Sequence, residues 1–160
     1  MAKSANTVIE IRTAGNDTNG GGFVTGASGS DYSQQDSKNS GGNDSSTTDA
    51  VANGTTTITS ATASFQTTIV GNIVYFSGGT GTITGQWRQV TARASTTSIT
   101  IDATIAASTG MTMNIGGALL SLGIPGSAAY QLISGNIIWI KAGTYSITTA
   151  SAGVTGIFGS

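Results

Sequence analysis

Short runs in which apolar and polar residues alternate recur along the chain, and glycine, asparagine or serine closes most of them. Thr55 to Ser60 alternates, as does Trp87 to Ala92. Thr97 to Asp102 alternates with Ile99 and Ile101 on one face, and Met111, Met113 and Ile115 form another stripe of period two. Asn72 to Phe76 and Asn136 to Ile140 are continuous apolar runs, the pattern of strands buried on both faces. A period of two fits a pleated strand and not a helix. The residue types agree: Thr, Ile and Val suit strands, while Glu occurs once and Lys three times. Many short strands between frequent turns predict an all-β fold. The exceptions are two predicted short helices, near 118–122 and 127–134, separated by Pro125-Gly126 and ended by Gly135.

Composition removes several kinds of chemistry. The chain has 160 residues, one domain by length. Gly, Ser, Thr and Asn make up half of it. It has no Cys, which excludes disulfides, thiolate metal sites and a thiol nucleophile. It has no His, which excludes an imidazole-based triad. Six Lys/Arg stand against seven Asp/Glu, too few and too scattered for a duplex nucleic-acid partner. No apolar run approaches the roughly 20 residues of a membrane span, and Met1 to Asn6 does not lead into a signal-peptide core. The expectation is a structural or binding protein without cofactors, and not an enzyme.

Three stretches differ in style. Residues 1–50 carry six of the seven acids (Glu10, Asp17, Asp31, Asp36, Asp44 and Asp49) and few large apolar residues. Such a segment buries too little to fold alone and reads as an extended, polar attachment segment. Within it, Thr7 to Arg12 has a clean strand pattern, and a lone strand offers its backbone to another chain. Val8, Ile9, Ile11, Arg12, Phe23 and Tyr32 are the candidate assembly residues. Residues 51–117 read as a β-rich domain, and 118–160 as short helices and the start of a β-helix.

An internal repeat links the last two stretches. Gly71 to Thr84 aligns with Gly135 to Thr148, with seven of 14 positions identical at an offset of 64. Both copies read as buried strand, glycine turn, second strand. That unit recurs in coiled β-solenoids, where 64 residues make about three coils of on the order of 21 residues. In a Thr/Gly-rich chain, two unrelated strand-turn-strand units also look alike.

Candidate chemistry is sparse. Asp31 with Asp36, or Asp44 with Asp49, are the carboxylate pairs that glycoside cleavage would need, but they lie in polar sequence with nothing apolar to tune them. A β-helix lyase would use acids beside Arg88, Arg93 or Lys141, and only Asp102 is near these in sequence. Asn16 to Gly20 has the oxygen ligands and glycine of a Ca²⁺ loop but lacks its distal acid, so an Asx-turn is expected. Three Asn-x-Ser/Thr sequons, at Asn16, Asn43 and Asn53, are what chance gives in a chain this rich in Ser and Thr. Tyr75, Trp87, Trp139 and Tyr145 are the aromatics of a possible sugar face. Tyr75 and Trp139 occupy matched repeat positions inside apolar runs, which points to the core. Gly78 to Gly81 lacks the lysine and helix of a phosphate loop.

Arg12 to Phe23 and Ala27 to Asp36, within Thr7 to Asp36, resemble the amino-terminal region of a family of phage virion proteins. Phe65 to Ser77, Met113 to Ala118 and Ile138 to Tyr145 are similar to later segments of that family. The resemblance spans nearly the whole chain and carries no catalytic motif. It implies an amino-terminal region followed by a right-handed parallel β-helix of the pectin-lyase-like class, with a β-sandwich as the alternative fold. It implies a virion structural protein: a capsid decoration, head-fibre or fibre-base protein on the particle surface, made in the host cytoplasm. The other functional reading is a tailspike or tail-fibre segment that binds or degrades host carbohydrate. The partners it implies are the major capsid protein or other virion proteins and further copies of the chain, as a trimer. Family members continue well past Ser160, so the chain is expected to be the amino-terminal part of a longer protein or a shortened relative. A net charge of −1 suits a permanently assembled protein, because it gives little colloidal repulsion.

Overall fold

The computed structural model describes residues 4–38, 46–125, 130 and 132–145. The alternating segments form two β-structures. Six strands close into an antiparallel barrel: β3 (Thr47–Ala52), β4 (Thr57–Thr59), β5 (Ile73–Gly78), β6 (Ile83–Ser95), β7 (Ser98–Ile101) and β8 (Ser108–Ile115). Around the barrel the order is β3-β4-β7-β6-β5-β8. The remaining strands, β1 (Thr7–Ile11), β2 (Gly22–Val24) and β9 (Ile137–Ile140), make a small mixed sheet. Its order is β2-β1-β9, with β2 antiparallel and β9 parallel to β1.

The barrel is filled by the stripes of period two. Ile99 and Ile101 of β7 point inward, as do Met111, Met113 and Ile115 of β8, with Val74, Phe76, Ile58 and Val90 from their neighbours. Phe65 and Ile69, from the connection between β4 and β5, complete this core. Closure leaves no strand edge, which removes the need for any covering helix.

The sheet packs against the outer wall of the barrel. β5 and β6 alternate, so Ile73, Tyr75 and Trp87 point away from the interior. Tyr75 and Trp87 are direct cross-strand partners. Ile73 and Trp87 join Ile9, Ile11, Leu119, Leu122 and Tyr130 in a second core, with Tyr75 and Ile138 packed on its margin. Trp87 lies between Tyr75 and Tyr130, with ring centroids 4.9 and 5.7 Å away and the planes tilted. Its indole N–H donates to the Asn19 carbonyl at 2.8 Å. Burial raises the pKa of the Tyr130 phenol, whose O–H donates to the Gly20 carbonyl at 3.1 Å.

Glycine sets the closeness of this junction. The Gly20 and Gly21 N–H groups donate to the Gly116 and Gly117 carbonyls, each at 2.9 Å. A Cβ at Gly20 would collide with the Ile73 carbonyl. What reads in sequence as a polar loop, Asn16 to Gly22, is a backbone seam between sheet and barrel.

Two sequence expectations are corrected. Among the described residues the strands form a closed barrel and a small sheet in place of the right-handed parallel β-helix or the β-sandwich; the repeat explains why a coil was expected. Gly71 and Gly135 both adopt positive φ (94° and 90°). Asn72 and Asn136 both hold the preceding turn and a distant carbonyl with their side chains: Asn72 donates to Ser30 O and Ile69 O, and Asn136 accepts from Ile133 N–H and donates to Ser4 O. The two units therefore begin alike. They diverge in pairing: 73–78 folds back as an antiparallel hairpin with β6, whereas 137–140 runs parallel to β1, and 146–148 of the expected second strand lie outside the described residues. A repeat of local geometry does not specify the partner strand. The helix near 118–122 is also absent. Leu119 is held in extended form beside Ile11, with its N–H donated to Glu10 O and Arg12 N–H returned to its carbonyl, both at 2.9 Å. Of the segment 127–134, residues 127–129 and 131 lie outside the described residues, and 132–134 are not helical. The expected segment boundary at 50/51 falls inside β3.

Candidate functional site

The carboxylates are tied into the fold one at a time. Asp31 accepts the Ser33 N–H at 2.8 Å, the Ser33 hydroxyl at 2.6 Å and the Gln34 amide at 3.0 Å, which closes a local turn. Asp36 faces Arg12 at 3.5 Å. Asp17 accepts Leu120 N–H at 3.0 Å and Ser121 N–H at 2.8 Å, with the Ser121 hydroxyl on its other oxygen, and so straps the segment after β8 to the loop after β1. Asn16 accepts Thr18 N–H at 2.9 Å, the expected Asx-turn. Asp49 accepts from the Ser60 hydroxyl and from Thr62 N–H at 2.9 Å; these donors, Ser60 first, hold its carboxyl far below the usual range. Asp102 accepts Gln89 N–H at 3.0 Å. Asp44 lies outside the described residues. Among the described residues no three acids gather as a metal site.

The basic residues are similarly placed. Arg93 donates to the Phe65 carbonyl at 2.7 Å. Arg88 donates to Gln86 at 2.6 Å and to the Trp87 carbonyl at 3.1 Å, and burial lowers its pKa.

Glu10 is the exception among the acids. It sits in the middle of the sheet at 5% exposure, 3.6 Å from Arg12. Burial raises its pKa, against the opposing pull of Arg12.

The six candidate assembly residues fall in different surroundings: Ile9 and Ile11 face the barrel, while Val8 and Arg12 alternate onto the other face of β1. Ile9 and Ile11 are fully buried against the barrel wall. Val8 is buried beside Phe23 in the β1–β2 register. Arg12 lies between Glu10 and Asp36. Phe23 bridges to Asn72. Tyr32 packs against the barrel core with its hydroxyl on Thr68. β1 is not a lone strand: it is paired on both sides within the chain.

The exposed apolar surface lies elsewhere. Among the described residues the exposed large apolar side chains are Leu120, Ile133, Ile137, Trp139 and Ile140, and four of these belong to β9 or the turn before it. Ile137 is 50% and Trp139 52% exposed, against 5% for Trp87. The expectation that Trp139 is core is thus corrected; Trp87 holds that role. The apolar run at 136–140 reads as a buried strand, but among the described strands only β1 pairs with it, and only Ile138 packs on the second core. The register sets Ile137 beside Val8 and Trp139 beside Glu10 on one face, and Ile138 beside Ile9 on the other.

β9 hydrogen-bonds only β1 among the described strands. Lys141 N–H donates to Ile11 O at 2.9 Å, so by alternation the N–H and C=O groups of Ile138 and Ile140 point to the open side. This arrangement can bind another strand; among the described residues it places no nucleophile, base or oxyanion donor around a shared point. Comparison with protein-family models, with curated proteins and with solved structures found no match to this chain.

Proposed function

We propose that the chain is a structural protein of a phage particle, a capsid decoration, head-fibre or fibre-base protein that acts by assembly and binding and not by catalysis. The observation that carries the assembly part is the concentration of exposed apolar side chains on and beside one open strand, β9, next to a barrel that exposes none among its described residues. The resemblance of Arg12 to Phe23 and Ala27 to Asp36 to phage virion proteins supplies the setting. On this reading the partners are other virion proteins, such as the major capsid protein, and further copies of the chain, and the place is the particle surface. The rival reading, cleavage of host carbohydrate, draws nothing from Asp31 and Asp36, which serve a turn and an ion pair.

The test is proteomic analysis of purified particles from a host expressing the protein, with and without Trp139→Lys. The expected result is a fixed copy number per particle for the native chain and a several-fold drop for the variant. A native chain found only in the soluble fraction, away from particles, overturns the proposal.

A further inference from the structure

We propose that the open edge of β9 binds β9 of a second copy of this chain, antiparallel, about a two-fold axis through Ile138. The edge lacks the usual protections: its four residues hold no Pro, no charge and no bulge. Its backbone groups are in phase for this pairing. Ile138 points its N–H and C=O outward, so two copies exchange both bonds at Ile138, and Ile140 N–H meets the Asn136 carbonyl of the second copy.

The side chains select the same register. A two-fold axis through Ile138 sets Ile137 of each copy directly opposite Trp139 of the other, on one face. This covers the two most exposed large apolar residues among those described, and aromatic–β-branched cross-strand pairs are favourable. A shift by one residue would oppose side chains of opposite faces.

Charge also favours a like partner. The strand is uncharged and the chain's net charge is −1, so two copies approach with little repulsion, and a strongly charged surface finds nothing to pair with. The Lys141 side chains fall at opposite ends, each opposite Gly135 of the other copy. A four-residue edge is much smaller than the roughly 800 Å² per partner of a stable dimer, so the pairing depends on concentration. The expected trimer would need a surface that meets an unlike surface; a strand edge that meets its own kind closes as a pair. The inference concerns the purified chain and does not depend on the virion reading.

The test is sedimentation equilibrium of the purified full chain up to about 1 mM, which reads association with a Kd in that range or tighter. The native protein should dimerise. Ile138→Pro removes an outward N–H that β1 does not use, and Trp139→Lys places a cation against Ile137 of the second copy. Each should weaken dimerisation at least tenfold with the β spectrum unchanged. Leu120→Lys, at an exposed apolar residue remote in sequence from the edge, should leave it intact. A native chain that stays monomeric throughout, whether its edge is free or taken up within the chain or by a different protein, overturns the proposal. So does a dimer that survives Trp139→Lys.

Discussion

The barrel and the small sheet use the same kind of sequence to opposite ends. In the barrel, alternating residues face a closed interior and every strand has two neighbours. In the sheet, the central strand β1 is as well buried as any barrel strand, yet three of the four residues of β9 beside it are exposed. The repeat makes the contrast sharp. Gly71-Asn72 and Gly135-Asn136 start their strands with the same backbone turn, Asn72 N–H to Ile69 O and Asn136 N–H to Ile133 O, but one strand closes a barrel and the other ends the small sheet. Burial follows from the number of neighbours a strand finds, and not from its own apolar run.

The two tryptophans offer the largest test of this difference. Trp87 is enclosed by Tyr75, Tyr130 and the Asn19 carbonyl, so Trp87→Ala should cost about 3–5 kcal/mol in denaturant unfolding, as large-to-small changes in cores do. Trp139→Ala should change stability by less than about 0.5 kcal/mol, the usual range for exposed sites. Equal losses for both would mean that β9 is as enclosed as β6.

The matched asparagines give a smaller contrast. Asn72 is fully buried, donates to Ser30 O at 2.7 Å and Ile69 O at 3.1 Å, and accepts Tyr32 N–H at 2.8 Å. Asn72→Ala removes these buried hydrogen bonds and should cost about 1–3 kcal/mol. Asn136 is half-buried, and water can replace its bonds, so Asn136→Ala should cost below about 1 kcal/mol. Thermal melts of both variants, side by side, check the order.

The smallest expected effects concern pH, and the two regions should respond with opposite sign. Glu10 in the sheet has a raised pKa in the folded state, so the folded chain holds its proton above the ordinary value of 4.5. Its contribution to stability is present below that value and is lost as pH rises through the raised one. Asp49 at the barrel has a lowered pKa, so its contribution is present above the ordinary 3.8 and is lost as pH falls below it. Relative to the native chain, Glu10→Gln should gain stability as pH rises above 4.5. Asp49→Asn should lose its disadvantage as pH falls below 3.8. Denaturant melts across pH 2–8 measure both differences; parallel curves for Glu10→Gln and the native chain would remove Glu10 from this role.

Much of the barrel was legible in the residues. Ile99 with Ile101, and Met111 with Met113 and Ile115, form the inward stripes that their alternation suggested, and the all-β class followed from them. The architecture was not legible, because alternation fixes which face a side chain takes and says nothing about the strand beside it. Leu119 was misread for a related reason: Ala118 to Leu122 has helical composition, but the Asp17 carboxylate and the β1 backbone hold it extended from about a hundred residues away in sequence. The acids of the first 50 residues looked like solvated loop groups. Asp17 and Asp36 instead bind distant segments, and such partners cannot be read from spacing. The exposed strand β9 was hidden by its own apolar run, since a sequence cannot distinguish a strand covered by its own chain from one left open to another.

Native-state hydrogen exchange, read residue by residue by NMR in dilute solution, tests the central contrast most directly. The account predicts that amides of β5, β6 and β8 exchange only through global unfolding, while the outward amides of Ile138 and Ile140 exchange orders of magnitude faster. Protection of Ile138 and Ile140 equal to that of Phe76 and Met113, at a concentration where the chain is monomeric, would contradict it.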